Sequence, residues 1–234
     1  MNYRCETTSE TGFVQLLACN YLPHGYWFYV TGVVPEGKDV RELDAKLLKK
    51  YRIDVSRATR CRRKAAGRAN VHYLRHLRFF VLLATHGKHR FFADEKGSIR
   101  DVRELPIQFA GYSIGCKQGE YLHKPKGSGK ARNDGRYRSR VQVSRQVYLD
   151  WKAYFEELAK SASEKRLAYE LYHFPYEPYA PVRKQLLEIV RLVNRVRKDC
   201  GKPMLDAKQV IRFRRQIVRP FEPLEVDTQI PLVA

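Results

Sequence analysis

The hydrophobic pattern of the chain changes type at Ser144, and this change limits the fold class. Before it, short runs rich in aromatic and β-branched residues, such as 25–34 and 77–85, are typical of strands. After it, apolar residues recur at helical spacing and no strand pattern follows. Strands followed by helices indicate an α+β fold. We therefore expect an antiparallel or mixed sheet of about five strands backed by helices, with an all-helical C-terminal extension.

The same change of pattern sets the expected domain boundaries. Residues 1–24 and 221–234 are predicted to be terminal tails. Residues 25–143 are predicted to form the sheet domain, which includes a basic loop at 117–135. Residues 144–220 are predicted to form a helical region that packs on this domain.

Turn residues and periodicity suggest individual elements. Residues 77–85 and 89–94 are predicted to be two strands of a hairpin around His86-Gly87-Lys88. Residues 106–116 are predicted to form one further strand, and 206–218 a final helix. Segment 136–143 alternates, which predicts a strand that carries Arg136, Arg138 and Arg140 on one face.

The positive charge of the chain is concentrated in three blocks. The whole chain has 45 Lys and Arg against 25 Asp and Glu, a formal charge of +20. Residues 52–68 contain seven basic residues and one acidic residue, residues 117–145 nine and two, and residues 183–219 twelve and three. The rest of the chain is therefore nearly neutral. Blocks of this kind attract phosphate backbones, with an affinity that falls as the salt concentration rises.

The helix predicted over 182–198 is the clearest single element. Its apolar residues share one face, and Lys184, Arg191, Arg195 and Lys198 share the opposite face. Together with the basic blocks, it gives the predicted nucleic-acid-binding residues: Arg57, Arg60, Arg62, Arg63, Lys64, Lys124, Lys126, Lys130, Arg132, Arg136, Arg138, Arg140, Lys184, Arg191, Arg195, Lys198, Arg212 and Arg215. An acidic membrane surface, an acidic protein, or basic faces without a common partner are the alternative interpretations.

Cysteine usage and hydropathy exclude several classes. The five cysteines are scattered and never spaced as C-x-x-C, which argues against a disulfide framework and a thiolate zinc site. No apolar run has the length of a membrane span, and the N-terminus lacks the pattern of a signal peptide. We expect a cytoplasmic protein without membrane association and without a cofactor.

Four histidines within a short segment suggest an enzymatic alternative. His72, His76, His86 and His89 could hold a metal, and Tyr148 follows at the start of the helical region. This layout resembles the rolling-circle replication initiators and relaxases, which use a His-hydrophobe-His metal site and a nucleophilic tyrosine. The resemblance implies a metal-dependent DNA-nicking or strand-transfer enzyme that uses His86, His89 and Tyr148. The chain departs from that pattern because two residues, Gly87 and Lys88, separate its histidines.

The favoured interpretation is a basic protein that binds DNA or RNA through phosphates and has no catalytic activity of its own. A third alternative is a ribonucleoprotein assembly factor, a member of a larger nucleoprotein complex. The excess of arginine suits phosphates and base edges of either nucleic acid, so the residues do not separate DNA from RNA.

Overall fold

A computed structural model describes residues 3–119, 122–123 and 132–222, and for 122–123 and 132–133 it describes the backbone alone. The chain divides into two compact units. Unit 1 comprises Met1–Val102 with Ile217–Ala234, and unit 2 comprises Arg103–Gln216. The described strands precede the long C-terminal helices, and unit 1 contains a mixed five-stranded sheet, so the predicted α+β class is confirmed.

The sheet of unit 1 has the order β1-β3-β4-β2-β5. The first strand is parallel to β3 and all other neighbours are antiparallel. Its strands are β1 (Glu6–Thr7), β2 (Tyr26–Val33), β3 (Val71–His76), β4 (Phe79–Thr85) and β5 (Arg100–Asp101). The helices of this unit are α1 (Glu10–Gln15), a π-helical turn (Leu16–Tyr21), a 3₁₀ turn (Leu22–His24), α2 (Val40–Lys50), α3 (Arg57–Ala65) and α4 (Phe91–Asp94).

The predicted N-terminal tail is part of the folded unit. Ser9 caps α1 by accepting a hydrogen bond from the Gly12 N–H, and Phe13 and Leu17 are completely buried. The side-chain amide of Gln15 also exchanges two hydrogen bonds with the backbone of Val218, at 2.9 and 3.2 Å. The sequence pattern missed this segment because its partners lie far away along the chain.

The hairpin predicted around Gly87 is wrong. Strands β3 and β4 form the hairpin instead, and they are joined by Leu77 and Arg78, which lack the usual turn composition. Residues 89–94 contain the short helix α4 rather than a strand. The glycine has another role, because a Cβ at Gly87 would lie 2.6 Å from the Ala69 nitrogen. It therefore allows a close backbone approach.

A buried arginine connects three elements of unit 1. Arg75 on β3 is 1% exposed, and its Nε and Nη2 donate to the carboxylate of Asp44 on α2, at 2.9–3.2 Å. Its Nη1 reaches Glu6 of β1 at 3.2 Å. The Tyr73 hydroxyl donates to the same Asp44 carboxylate at 2.6 Å. Burial opposes the charge of Arg75, but its hydrogen bonds to Asp44 and Glu6 outweigh this effect and raise the arginine pKa.

Unit 2 combines a small sheet with helices. Its antiparallel sheet has the order β10-β7-β6, and two further strands, β8 and β9, pair only with each other among the described residues. The strands are β6 (Ile107–Phe109), β7 (Tyr112–Gln118), β8 (Leu122–His123), β9 (Arg132–Asn133) and β10 (Tyr137–Val143). The helices are α5 (Arg145–Ser161), α6 (Glu164–Tyr172), α7 (Ala180–Asp199) and α8 (Ala207–Val210).

Three details of unit 2 differ from expectation. A turn at Ala110 and Gly111, both with positive φ, divides the single strand predicted over 106–116 into β6 and β7. The predicted final helix is reduced to α8. Within the predicted loop 117–135, Lys117 and Gln118 belong to β7, and β8 pairs with β9. Lys124, Lys126 and Lys130 lie outside the described residues.

The boundary between the units also differs from the predicted one at residue 144, because unit 2 begins at Arg103. Strands β6, β7 and β10 belong to the same unit as the helices, because the Gln185 side chain of α7 bonds both the N–H and the carbonyl of Val143 in β10. One core then joins β10 to the helices, with Phe155, Leu186 and Ile189 completely or almost completely buried in it.

Replacing Asp44 with alanine should lower the free energy of unfolding by about 3–5 kcal/mol, because Arg75 then stays buried without its main counter-charge. Asp39→Ala is the matched control on the same helix. Asp39 caps α2 through the Arg41 N–H, and its loss should cost about 1 kcal/mol.

Urea denaturation measures both values. Equal effects of the two substitutions would contradict a central role of the buried pair, whereas a double Asp44→Leu/Arg75→Met variant should recover part of the loss.

Candidate nucleic-acid interface

Helix α3 of unit 1 is basic and has no buried residue. Its nine residues include Arg57, Arg60, Arg62, Arg63 and Lys64, and none is acidic. Ser56 caps its N-terminus, accepting from the Thr59 N–H. Like charges three or four residues apart destabilise a helix, so caps and contacts with the surrounding backbone must hold this one in place.

Two arginines of α3 provide such contacts. Arg60 donates to the carbonyl of Ile53 at 3.3 Å, and Arg63 donates to the carbonyl of Arg52 at 3.1 Å. Both side chains are half-buried. In addition, the Asn70 amide donates to the Arg60 carbonyl at 3.0 Å. The helix is therefore fixed to its neighbours through polar contacts, and its remaining cations face solvent.

A cleft of about 220 Å³ lies beside α3, and we call it the basic cleft. It forms where Gly87 brings the following residues against the end of the helix. The Lys88 N–H donates to the Gly67 carbonyl at 3.0 Å, and the Ala69 N–H donates to the Lys88 carbonyl at 3.2 Å. The cleft is lined by Arg52, Arg63, Arg68, Ala69, Lys88, His89 and Arg90.

Positive charge in the basic cleft is not balanced by its own lining. No carboxylate is among the described residues that line it. Burial lowers the pKa of Arg63, and the neighbouring Arg60, Arg52 and Arg68 lower it further. A bound anion would relieve this repulsion. Arg90 is the exception among the cations, because Asp94 accepts from its Nε at 3.1 Å.

His89 contributes a neutral ring to the basic cleft. Its Nδ1 accepts a hydrogen bond from the Phe91 N–H at 3.0 Å, so this nitrogen carries no proton. Burial lowers its pKa; a hydrogen bond with the Tyr51 backbone opposes this shift, and Arg63 and Arg90 add to it. The residue therefore adds no charge to the lining at neutral pH.

A second cleft, of about 550 Å³, lies beside the N-terminal part of α3, and we call it the aromatic cleft. Its lining combines aromatic, polar and charged side chains: Tyr3, Asp54, Val55, Ser56, Arg57, Arg60 and His72. His72 lies on β3 and is packed against tyrosine rings, with ring centroids 4.8 Å from Tyr21 and 4.9 Å from Tyr26. Burial, assisted by the charge of Arg60, lowers the pKa of His72 to about 3.

The predicted residues of α7 are all exposed. Lys184, Arg191, Arg195 and Lys198 lie along one side of the helix, while Leu186, Ile189, Val190 and Val193 are buried on the other. Within the described ranges, none of these four cations is paired with a carboxylate. The stripe is therefore open to a ligand on unit 2.

Other predicted residues make contacts within unit 2. Arg138 pairs with Asp134, with Nη1 and Oδ1 at 3.1 Å, and Arg140 donates to Gln142 at 3.2 Å. Arg136 is exposed, and only the backbone of Arg132 is described. Arg212 donates to the Phe174 carbonyl at 3.1 Å and pairs with Glu177. The Arg215 guanidinium lies 4.5 Å from the centre of the Tyr179 ring.

The residues of the enzymatic alternative have other partners or belong to different units. The Tyr148 hydroxyl of unit 2 donates to Glu188 at 3.0 Å, and burial together with this carboxylate raises its pKa to about 12. His86 and His89 belong to unit 1. His76 is buried and its Nδ1 lies 3.1 Å from the Thr7 carbonyl. Over the described ranges, no three His, Cys, Asp or Glu side chains form a group that could hold a metal.

Four cations of the basic cleft were not among the predicted site residues: Arg52, Arg68, Lys88 and Arg90. The first two flank α3 and belong to the basic block 52–68, so the charge count includes them. The other two follow Gly87, which the sequence pattern assigns to a hairpin turn. The sequence signal for these two cations is the run Lys88-His89-Arg90 directly after a glycine. The sequence does not show that this run lies beside α3.

Comparison with protein-family models, with curated proteins and with solved structures found no match to this chain. No helix in the described part of the chain is both long and apolar enough to cross a membrane.

The buried His72 predicts a pH dependence of stability. Below a pH of about 6.5, the unfolded chain binds a proton on this histidine, whereas the folded protein does not until about pH 3. Stability should therefore fall as the pH is lowered through this window, by up to about 1.4 kcal/mol per pH unit from this group. Urea denaturation of wild type and His72→Gln at pH 7 and pH 4.5 isolates the effect. A difference between the two proteins that stays constant with pH would contradict a neutral buried His72.

Proposed function

We propose that the protein binds nucleic acid and that the basic cleft beside α3 holds backbone phosphates. The observation that carries the proposal is the convergence of Arg52, Arg63, Arg68 and Lys88 on one small cleft, whose described lining contains no carboxylate. Arginine and lysine near neutral donors are the groups that bind phosphate most often. The binding is non-catalytic and serves DNA or RNA, alone or within a larger nucleoprotein complex.

The chemistry of the lining favours phosphate over the alternative polyanions. A cleft of about 220 Å³ accommodates a compact anion, and guanidinium groups match the geometry of phosphate oxygens. An acidic protein would present carboxylates over a broad surface, without need of a cleft. An anionic membrane would favour cations beside exposed apolar side chains, whereas α3 exposes mainly charged and small residues.

The test removes three exposed cations from the basic cleft. In Arg52→Gln/Arg68→Gln/Lys88→Gln, affinity for single- and double-stranded DNA and RNA should fall. The slope of log K against log salt should decrease by about two units, because each lost phosphate contact contributes about 0.7–0.9. Fluorescence anisotropy over a salt series provides both quantities.

A matched control removes the same charge elsewhere. Lys160, Arg166 and Arg219 are exposed and paired with Glu157, Glu170 and Glu222. Their triple replacement by glutamine should leave the slope nearly unchanged. If both triple variants lose affinity equally, net charge rather than the basic cleft is responsible, and the proposal fails.

The exposed stripe of α7 is proposed as a second phosphate contact. Replacement of Lys184, Arg191, Arg195 and Lys198 by glutamine should weaken binding and reduce the salt slope. The midpoint of thermal unfolding should change little, because all four side chains are exposed. A charge-preserving variant that exchanges lysine and arginine at these positions should bind nearly as wild type. A salt slope unaffected by the glutamine variant would exclude this face from the interface.

A further inference from the structure

We propose that the aromatic cleft holds an unstacked nucleobase of a single strand whose phosphates lie in the basic cleft. This inference rests on the proposed function and adds to it a ligand class, single-stranded nucleic acid, and a subsite for the base. It is carried by the aromatic wall, the polar atoms and the position of the cleft on α3.

Two rings, those of Tyr3 and His72, belong to the wall of the aromatic cleft. They are stacked, with ring centroids 5.8 Å apart and planes inclined by 25°. Tyr21 and Tyr26 support His72 from within unit 1. Flat aromatic surfaces of this kind bind bases by stacking. The volume of about 550 Å³ lies within the range of small-ligand sites and exceeds that of the basic cleft.

Hydrogen bonds tie His72 to the Tyr3 hydroxyl. This hydroxyl accepts from the Tyr73 N–H at 3.1 Å and lies 2.9 Å from the Tyr73 carbonyl and 2.8 Å from His72 Nδ1. Because Nδ1 is engaged with Tyr3, Nε2 is the ring nitrogen left for a ligand, and no described residue bonds it. A neutral imidazole with one free ring nitrogen suits the polar edge of a base.

Further polar groups line the aromatic cleft together with His72. Asp54 and Ser56 supply oxygens to the lining, and Arg57 and Arg60 supply donors. Arg60 Nε is buried, and it is one of only two buried side-chain nitrogen or oxygen atoms without a partner over the described ranges. Donors and acceptors around a flat wall match the edge of a nucleobase better than an aliphatic ligand, which would leave them unpaired.

The two clefts are lined by residues of the same helix, α3, and of the segment before it. Arg60 lines the aromatic cleft and Arg63 lines the basic cleft, and residues three apart on a helix are neighbours on its surface. The segment before the helix repeats this arrangement, since Arg52 belongs to the basic cleft and Asp54 to the aromatic cleft. A strand with its phosphate in one cleft can therefore place an attached base in the other.

The test compares a labelled oligothymidylate with an abasic oligomer of the same length, using the full chain and fluorescence anisotropy. Wild type should bind the oligothymidylate about tenfold more tightly, because stacking adds to the phosphate contacts. Tyr3→Ala should remove most of this difference and leave abasic binding unchanged. Tyr3→Phe, which keeps the ring, should retain most of it. The triple variant of the basic cleft should weaken both ligands.

Each outcome separates the two proposals. If neither oligomer binds, the proposed function fails. If both bind equally to wild type and Tyr3→Ala changes neither, the base subsite is refuted while phosphate binding stands. Photo-crosslinking of a bromouridine-containing oligomer to the wild-type protein avoids any folding defect of the variant. Crosslinks to peptides that contain Tyr3 or His72 support the proposal, and crosslinks confined to other peptides overturn it.

Discussion

The buried pair of Arg75 and Asp44 is the interaction on which the arrangement of unit 1 depends. It joins α2 to strand β3, and through Glu6 it also holds the edge strand β1. An ion removed from water must be matched closely by its partners, so the pair permits little displacement of these elements. The Arg75 N–H also donates to the carbonyl of Cys5 at 2.7 Å, and Tyr3, two residues earlier, is hydrogen-bonded to the backbone of Tyr73. The segment that supplies Tyr3 to the aromatic cleft is therefore bonded to the same strand, β3, that carries the buried pair.

Arginine serves two different purposes in this protein, and the charge count cannot distinguish them. Arg75 and Arg197 are almost completely buried, and Arg197 donates to the carbonyls of Pro203 and Ala162 at 2.6 and 3.0 Å. Arg78 similarly donates to the Val34 carbonyl at 2.8 Å. These guanidinium groups satisfy backbone oxygens inside the fold and are unavailable to a ligand. The excess of positive charge therefore overstates the cationic surface available to the proposed nucleic-acid ligand, which consists of the exposed cations around α3 and on α7.

Local patterns predicted the fold well where the partners of an element lie nearby in the chain. The helical period of α7 placed Leu186 in the core and Arg191 on the surface, and alternation identified β10. The N-terminal segment escaped prediction because its partners are distant in the chain, as shown by Phe13, whose ring packs against Phe79 of β4. The basic cleft escaped for the same reason: Arg63 and Lys88 are 25 positions apart in the numbering, and backbone hydrogen bonds of Lys88 with Gly67 and Ala69 join their segments. From the sequence alone, a glycine that permits a close backbone approach cannot be distinguished from a glycine in a turn.

The sequence of helix α3 is poorly suited to forming a stable helix. It buries no side chain, and it places five cations on nine residues, so neither packing nor charge favours it. Yet a cap at Ser56 and bonds from Arg60, Arg63 and Asn70 to backbone oxygens hold it firmly beside the sheet. Natural sequences depart from local consistency mainly at functional sites. A phosphate beside Arg63 would remove the repulsion that the free protein sustains, and this difference between the free and bound states is a direct source of binding free energy.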